Sequence, residues 1–337
     1  MRARAVALAF MAGLSLAEPA RPALAAEGTQ LRIATVAPAG SSFHKRLQSL
    51  GHEWSTGPGG VSMNIYAGTQ GGEPQIVRRM RVGQIQGAML TSVGLGQIDR
   101  SVTALQYLPL LFRDWDDVDA VREKLRPELE ERLRKAGYVV LFWGDGGWVR
   151  YFSKTPITKI GDLKSMRVYT SSGDPETVDI FKNFYTPVVL EPDQILLGLR
   201  NGMIDALPVP PLLANFSQVT TYAPYMLDLR WAPVTGALVI TERAWKQLDP
   251  KAQAWLRESS ERAGADFRRA SRAEDEQTIQ AMKNKQGLKV TTLSPEAERE
   301  WRAEVARYYP RVRGTIIPAP MFDAAVEMLR ARHAAGQ

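Results

Sequence analysis

The sequence has no cysteine and only three histidines, His44, His52 and His333. Without a thiol there is no disulfide, no cysteine nucleophile and no lipid attached at an N-terminal cysteine. The histidines fall in no metal-ligand spacing, because the first two are separated around one helical stretch and His333 lies near the chain end, where helices fray. Gly-x-Ser-x-Gly, a phosphate loop and Gly-x-Gly-x-x-Gly are all missing. Gly144-Asp-Gly-Gly147 is rich in glycine but lacks a phosphate-loop lysine, and it predicts a turn. The common catalytic chemistries are therefore excluded, and no cofactor or metal is implied. No apolar run reaches the roughly 20 residues of a spanning helix, so direct membrane insertion is not expected.

Charge is in modest excess of one sign, with 43 Lys and Arg against 36 Asp and Glu and a formal net charge of +7. The basic residues are interleaved with acids along helical stretches, as in Arg257-Glu258 and Arg269 to Glu276. That pattern describes a solvated helix surface and implies no nucleic acid. A mild positive field would also steer anions toward a cleft.

At the start, Met1-Arg-Ala-Arg4 is basic, Ala5 to Ala17 is uncharged, and Ala23-Leu24-Ala25 gives the small-x-small pattern of a cleavage site. A secretory signal over residues 1–25 is expected, with export to the periplasm and a mature chain from Ala26. Its removal takes three Arg and one Glu and leaves a balance of about +5. About 310 residues remain, enough for two domains with their own cores.

From Leu31 onward the chain alternates strands with helices, the mark of βαβ units. Leu31 to Val36, Val61 to Tyr66 and Gly87 to Thr91 read as strands, with Phe43, Leu47, Leu50 and Trp54 on one helical face between the first two. Glu73-Pro74 opens a helix that closes at Gly83. Tyr138 to Trp143 and Ala237 to Thr241 suit sheet interiors. A second module repeats the plan: a strand at Met166 to Tyr169, a helix from Asp174-Pro175, a strand at Thr186 to Leu190, and a helix from Glu191 to Gly202. Arg81 to Ala88 and Arg200 to Ala206 echo one another, each a helix ending at glycine before a strand. Beyond Asp249-Pro250 apolar residues recur at helical spacing to about Lys285, roughly 50 Å of helix. That exceeds the width of one lobe and predicts an element bridging two.

Six stretches in order resemble the substrate-binding proteins of TRAP transporters, the DctP-type family: Tyr66 to Glu73, Leu108 to Arg113, Gly147 to Ser153, Pro156 to Val168, Leu199 to Asp205 and Ala237 to Thr241. The resemblance covers nearly all of the mature chain. It implies an α/β, two-lobed, type II-like periplasmic binding fold with a long helix, about 251–285, across both lobes. Lobe I would comprise 26–149 plus about 233–262, and lobe II 150–232 plus about 263–337. It also implies a small organic acid as ligand and small and large membrane subunits as partners. The same fold and pocket would equally serve a sensory module that presents its ligand to a receptor.

The resemblance suggests site residues as well. In the family, an arginine in the strand that here reads Met166-Arg-Val168 pairs with the ligand carboxylate, which points to Arg167. A guanidinium suits that role because it makes two parallel charge-assisted hydrogen bonds to one carboxylate. Arg150 matches a second position often occupied by arginine, with a lobe-to-lobe brace as the plainer reading. Thr91 and Ser92 match a cleft edge, and Trp231 a loop where an aromatic ring could stack on ligand. One departure stands out: Val209 occupies the place of an asparagine that helps to hold the carboxylate. An apolar wall beside an arginine implies a monocarboxylate with an apolar body. A neutral or lipid-like hydrophobic ligand is the alternative.

Overall fold

The computed structural model describes residues 29–171, 178–179 and 181–335. The expected signal segment and most of the helix expected from Asp174 lie outside them. Three parallel strands build one half of the protein: β1 (Gln30–Thr35), β2 (Ser62–Ala67) and β3 (Gly87–Thr91), in the order β2-β1-β3. Three more build the other: β5 (Arg167–Ser171), β6 (Thr186–Leu190) and β7 (Ala206–Val209), in the order β7-β5-β6. Two long antiparallel strands, β4 (Tyr138–Ser153) and β8 (Tyr225–Thr241), join the halves. β3 pairs with the last residues of β8, and β7 with the last residues of β4. A short β9 (Lys289–Thr291) pairs with the start of β8. The result is a two-lobed α/β protein with both lobes built on the same two strands.

The helices are α1 (Ser42–Thr56), α2 (Glu73–Arg81), α3 (Ser92–Gly96), α4 (Trp115–Lys135), α5 (Ile195–Arg200), α6 (Pro211–Phe216), α7 (Glu242–Lys246), α8 (Pro250–Gln286), α9 (Pro295–Ala306), α10 (Tyr309–Val312) and α11 (Ala319–Ala335). Local chemistry sets their ends. Asp249 caps α8, its carboxylate accepting from the amides of Lys251 and Ala252 at 2.8 and 2.9 Å. Gly287, in the left-handed region at φ +69°, ends it. The 37 residues between span about 55 Å. Leu256 and Phe267 of α8 are buried with Leu47, Trp54 and Leu238 in lobe I, whereas Ile279 and Met282 are buried with Leu190, Leu199 and Val209 in lobe II. The helix bridges both lobes and changes sides between Phe267 and Ile279. No helix among the described residues is long and apolar enough to cross a membrane.

Three expectations need correction. The turn expected at Gly144 to Gly147 is instead the middle of β4, which continues to Ser153 through an irregular register between Asp145 and Trp148. Gly147 has φ +95°, and a Cβ there would stand 2.8 Å from Asp275 Oδ1, so the kink needs glycine. The C-terminal helix, expected in lobe II, packs on lobe I: Met321, Phe322, Ala325 and Leu329 are buried with Leu90, Val118 and Leu129. Apolar periodicity gives the buried face of a helix and not the core that receives it. His333 is not frayed but holds its Nε2 2.8 Å from Asp117 Oδ2.

Candidate functional site

In sheets of this kind ligands bind outside the carboxyl ends of the parallel strands. β3 ends at Thr91 opposite Gly236 of β8, and β7 ends at Val209 opposite Arg150 of β4. β5 and β6 end level with one another at Ser171 and Leu190. The strand ends of both lobes thus converge on the middle of the crossing strands and define an interlobe crevice. The lobes touch at its mouth, where Glu191 Oε2 of lobe II lies 3.1 Å from the point a Cβ on Gly72 of lobe I would occupy. Farther along the boundary the Leu110 amide donates to the Trp231 carbonyl at 2.7 Å.

On the lobe I side, Glu73 tucks its carboxylate under the start of α3. It accepts from the Thr91 amide and hydroxyl, both at 2.6 Å, and from the Gly94 amide at 2.8 Å. Burial raises its carboxyl above the ordinary value, and these hydrogen bonds offset only part of that. Ser92 is fully buried, its hydroxyl 2.9 Å from that of Thr235. Both expected cleft-edge hydroxyls are therefore engaged inside lobe I.

On the lobe II side, Tyr169, Leu190 and Val209 are buried in one apolar cluster at the strand ends. Burial, opposed by a hydrogen bond with Ser171 and reinforced by the charges of Glu191 and Glu73, pushes the Tyr169 phenol up to about 12. It stays a neutral donor at physiological pH, and it feels carboxylates from both lobes. Trp231 packs within lobe II, edge-on to Tyr151 at 5.4 Å and beside Phe181 and Trp301 at 5.8 and 6.3 Å.

The two arginines stand elsewhere. Arg167 opens β5 at the end remote from the crevice, four residues or about 13 Å of strand before Ser171. Its Nε and Nη2 donate to Asp205 at 2.8 Å each, its amide donates to the same carboxylate at 3.1 Å, and its side chain is 48% exposed. The carboxylate anchor expected at this position thus falls on an arginine that is paired with an acid of the protein and stands away from the strand ends. Alternation shows that residues 167, 169 and 171 share a face, but not which of them stands at the crevice. Asp205, 38 residues away, completes the fork that a ligand would have filled. Arg150 is 1% exposed and saturated by acids, with Nη1 on Asp275 at 2.9 Å, Nη2 on Glu276 at 3.0 Å and Nε on Asp228 at 3.3 Å. It braces β4 against α8 and β8.

Sequence reasoning missed Tyr169, Glu73 and Glu191. The signal for Tyr169 was present two residues beyond Arg167. Those for the acids lay in helix starts that read as ordinary capping.

The model of DctP, bacterial extracellular solute-binding protein family 7, matches residues 33–314. A solute-binding protein of Sulfitobacter sp. strain NAS-14.1 is 26% identical over 181 residues, 53% of this chain and 54% of that relative. The chain thus spans about half the length of the curated relative it matches. Among solved structures, a TRAP periplasmic solute-binding protein from Ralstonia eutropha H16, with bound (S)-2-acetolactate, superposes with a TM-score of 0.83 at 19% identity, covering 90% of this chain and 99% of that one. DctP7 of Bordetella pertussis, an extracytoplasmic solute receptor binding pyroglutamic acid, gives 0.81 at 18% identity with the same coverage. Such identities establish a shared fold. With the family match over most of its length, the chain belongs to the DctP family of bacterial extracellular solute-binding proteins, family 7.

Proposed function

We propose that this protein is the periplasmic receptor of a TRAP-type transporter, closing two lobes on a small organic acid and presenting it to small and large membrane subunits. One observation carries the reading: both lobes share β4 and β8, and they meet at Gly72 and Glu191 over a crevice walled by Tyr169, Leu190 and Val209. Such a design lets a solute bias an open and a closed arrangement. Acids bound by proteins of the same fold, acetolactate and pyroglutamic acid, support the class of solute. Binding and release, with no bond made or broken, is the chemistry the crevice is built for.

The test begins with protein taken from the periplasm. Denaturation should release a small acid identifiable by mass spectrometry, and calorimetry should show it rebinding solute-free protein at one per chain. If nothing is released and no component of a low-molecular-weight periplasmic extract binds, the receptor reading fails.

A further inference from the structure

The described segments that reach the crevice carry no cation. Residues 36–41, 68–72, 91–98, 106–112, 144–149, 169–171, 190–194, 209–213 and 231–236 contain no lysine or arginine, although the whole chain has 43. Four guanidiniums flank these segments in sequence. Arg150 is held by Asp228, Asp275 and Glu276, and Arg167 by Asp205. Arg113 and Arg230 adjoin one another toward Trp148, where Arg230 lies 5.7 Å over the indole ring. None of them is on the segments that carry Gln75, Tyr169 and Glu191. Acids, by contrast, are present. Glu73 is buried with its oxygens on backbone amides and a hydroxyl, and among the described residues no basic side chain pairs with it. Glu191 accepts only from the Gln194 amide among its described contacts. Beside it, the Gln75 carbonyl oxygen is buried without a hydrogen-bond partner among the described residues. Gln75 Oε1 and Glu191 Oε2 lie 3.2 and 3.1 Å from one point on Gly72, so the two acceptors are within about 6 Å of each other. One ammonium nitrogen spans that gap with two hydrogen bonds.

At the end of the crevice formed by residues 68–75, 169–171 and 190–194, which hold no lysine or arginine, a plain carboxylate would lose its water with no opposite charge on those segments to replace it, beside two carboxylates of the protein. An acid that carries its own positive group avoids the penalty. We propose that the solute is an organic acid of no net negative charge, a zwitterion whose ammonium group faces Glu191 and Gln75 while its carboxylate is received by the uncharged hydroxyls of Tyr169 and Ser171. This rests on the receptor reading and names the class of acid the crevice selects. Leu190 and Val209 provide the apolar wall for its hydrocarbon part. Tyr169 and Glu191 become the residues that set specificity.

Calorimetry on solute-free protein decides it, with a panel of amino acids and betaines of about four to eight carbons and the matched carboxylates lacking the nitrogen. The best zwitterion should bind with a Kd at least tenfold below its plain carboxylate. Glu191→Gln, which keeps an acceptor for the Gln194 amide, should erase that preference, and Tyr169→Phe should weaken the zwitterion about tenfold. A plain carboxylate that binds as tightly as its amino counterpart overturns the proposal and leaves the receptor reading intact. So does silence from the whole panel while a low-molecular-weight periplasmic extract still binds. Silence from the extract as well overturns the receptor reading and this inference with it.

Discussion

Arg150 and Arg167 carry the same guanidinium, and their neighbours give them different work. Arg150 is buried against three carboxylates, one of which, Asp275, is itself only 3% exposed. Removing the arginine would leave that acid without its counter-charge in the interior. Arg150→Ala should therefore lower unfolding stability by about 3 to 5 kcal/mol in urea titration. A loss below about 1 kcal/mol would show that water reaches Asp275 when the brace is gone. Arg167 faces solvent with Asp205 and stands away from the crevice. Arg167→Ala should leave the Kd for a bound solute within twofold of wild type, and a tenfold loss would return that residue to the site. The residue scale was the least legible in the sequence. The chemistry of Arg167 suited a carboxylate, but Asp205, an acid of the protein itself, answers it. Position along a strand depends on where the chain enters the sheet, and no local pattern of residues records that.

Elements were easier to read, because periodicity and capping are local. The strands at 31–36, 87–91, 166–169 and 186–190 and the helix from Pro250 coincide with those observed to within a few residues. The crossing strands were not legible in full: their central residues combine glycines, proline and buried charge, which alternation alone reads as a break. Partners of whole elements were hidden too, as α11 shows. Its last turn is clasped to lobe I through Asp117, which accepts from Arg332 at 3.1 Å and meets His333 at 2.8 Å. Burial works against the Asp117 charge, but hydrogen bonds from His333, the Arg113 amide and Arg332 outweigh it and hold the carboxyl below its usual value. A carboxyl lowered by folding contributes stability above its unfolded value of 3.8, and that contribution is lost as pH falls through the lowered value. Hydrogen exchange should accordingly show amides of 325–334 losing protection in strongly acidic buffer before the core of lobe I does. Asp117→Asn should show the same local loss at neutral pH. Uniform protection in both would mean that apolar packing alone docks the helix.

At the scale of the whole molecule, charge and topology point the same way. The net charge of +7 is not drawn from the segments around Gln75, Tyr169 and Glu191, because residues 68–75, 169–171 and 190–194 hold no lysine or arginine. Two lobes on shared strands, with a helix of 37 residues laid across both, can change their separation without breaking either core. Glu191 approaches Gly72 across the lobe boundary, its Oε2 3.1 Å from the point a Cβ there would occupy. Because the chain has no cysteine, two introduced thiols would be the only ones in the protein. Thr69 and Asp193 are exposed on opposite sides of the crevice mouth and suit paired spin labels as Thr69→Cys and Asp193→Cys. Pulsed dipolar spectroscopy on the doubly labelled, solute-free protein, before and after addition of low-molecular-weight periplasmic extract, tests closure directly. Closure on the solute predicts a broad, longer distance distribution without extract that collapses to a single shorter one with it. Distributions that superpose, under conditions where calorimetry shows the extract binding, would contradict the claim that this protein works by closing on its solute.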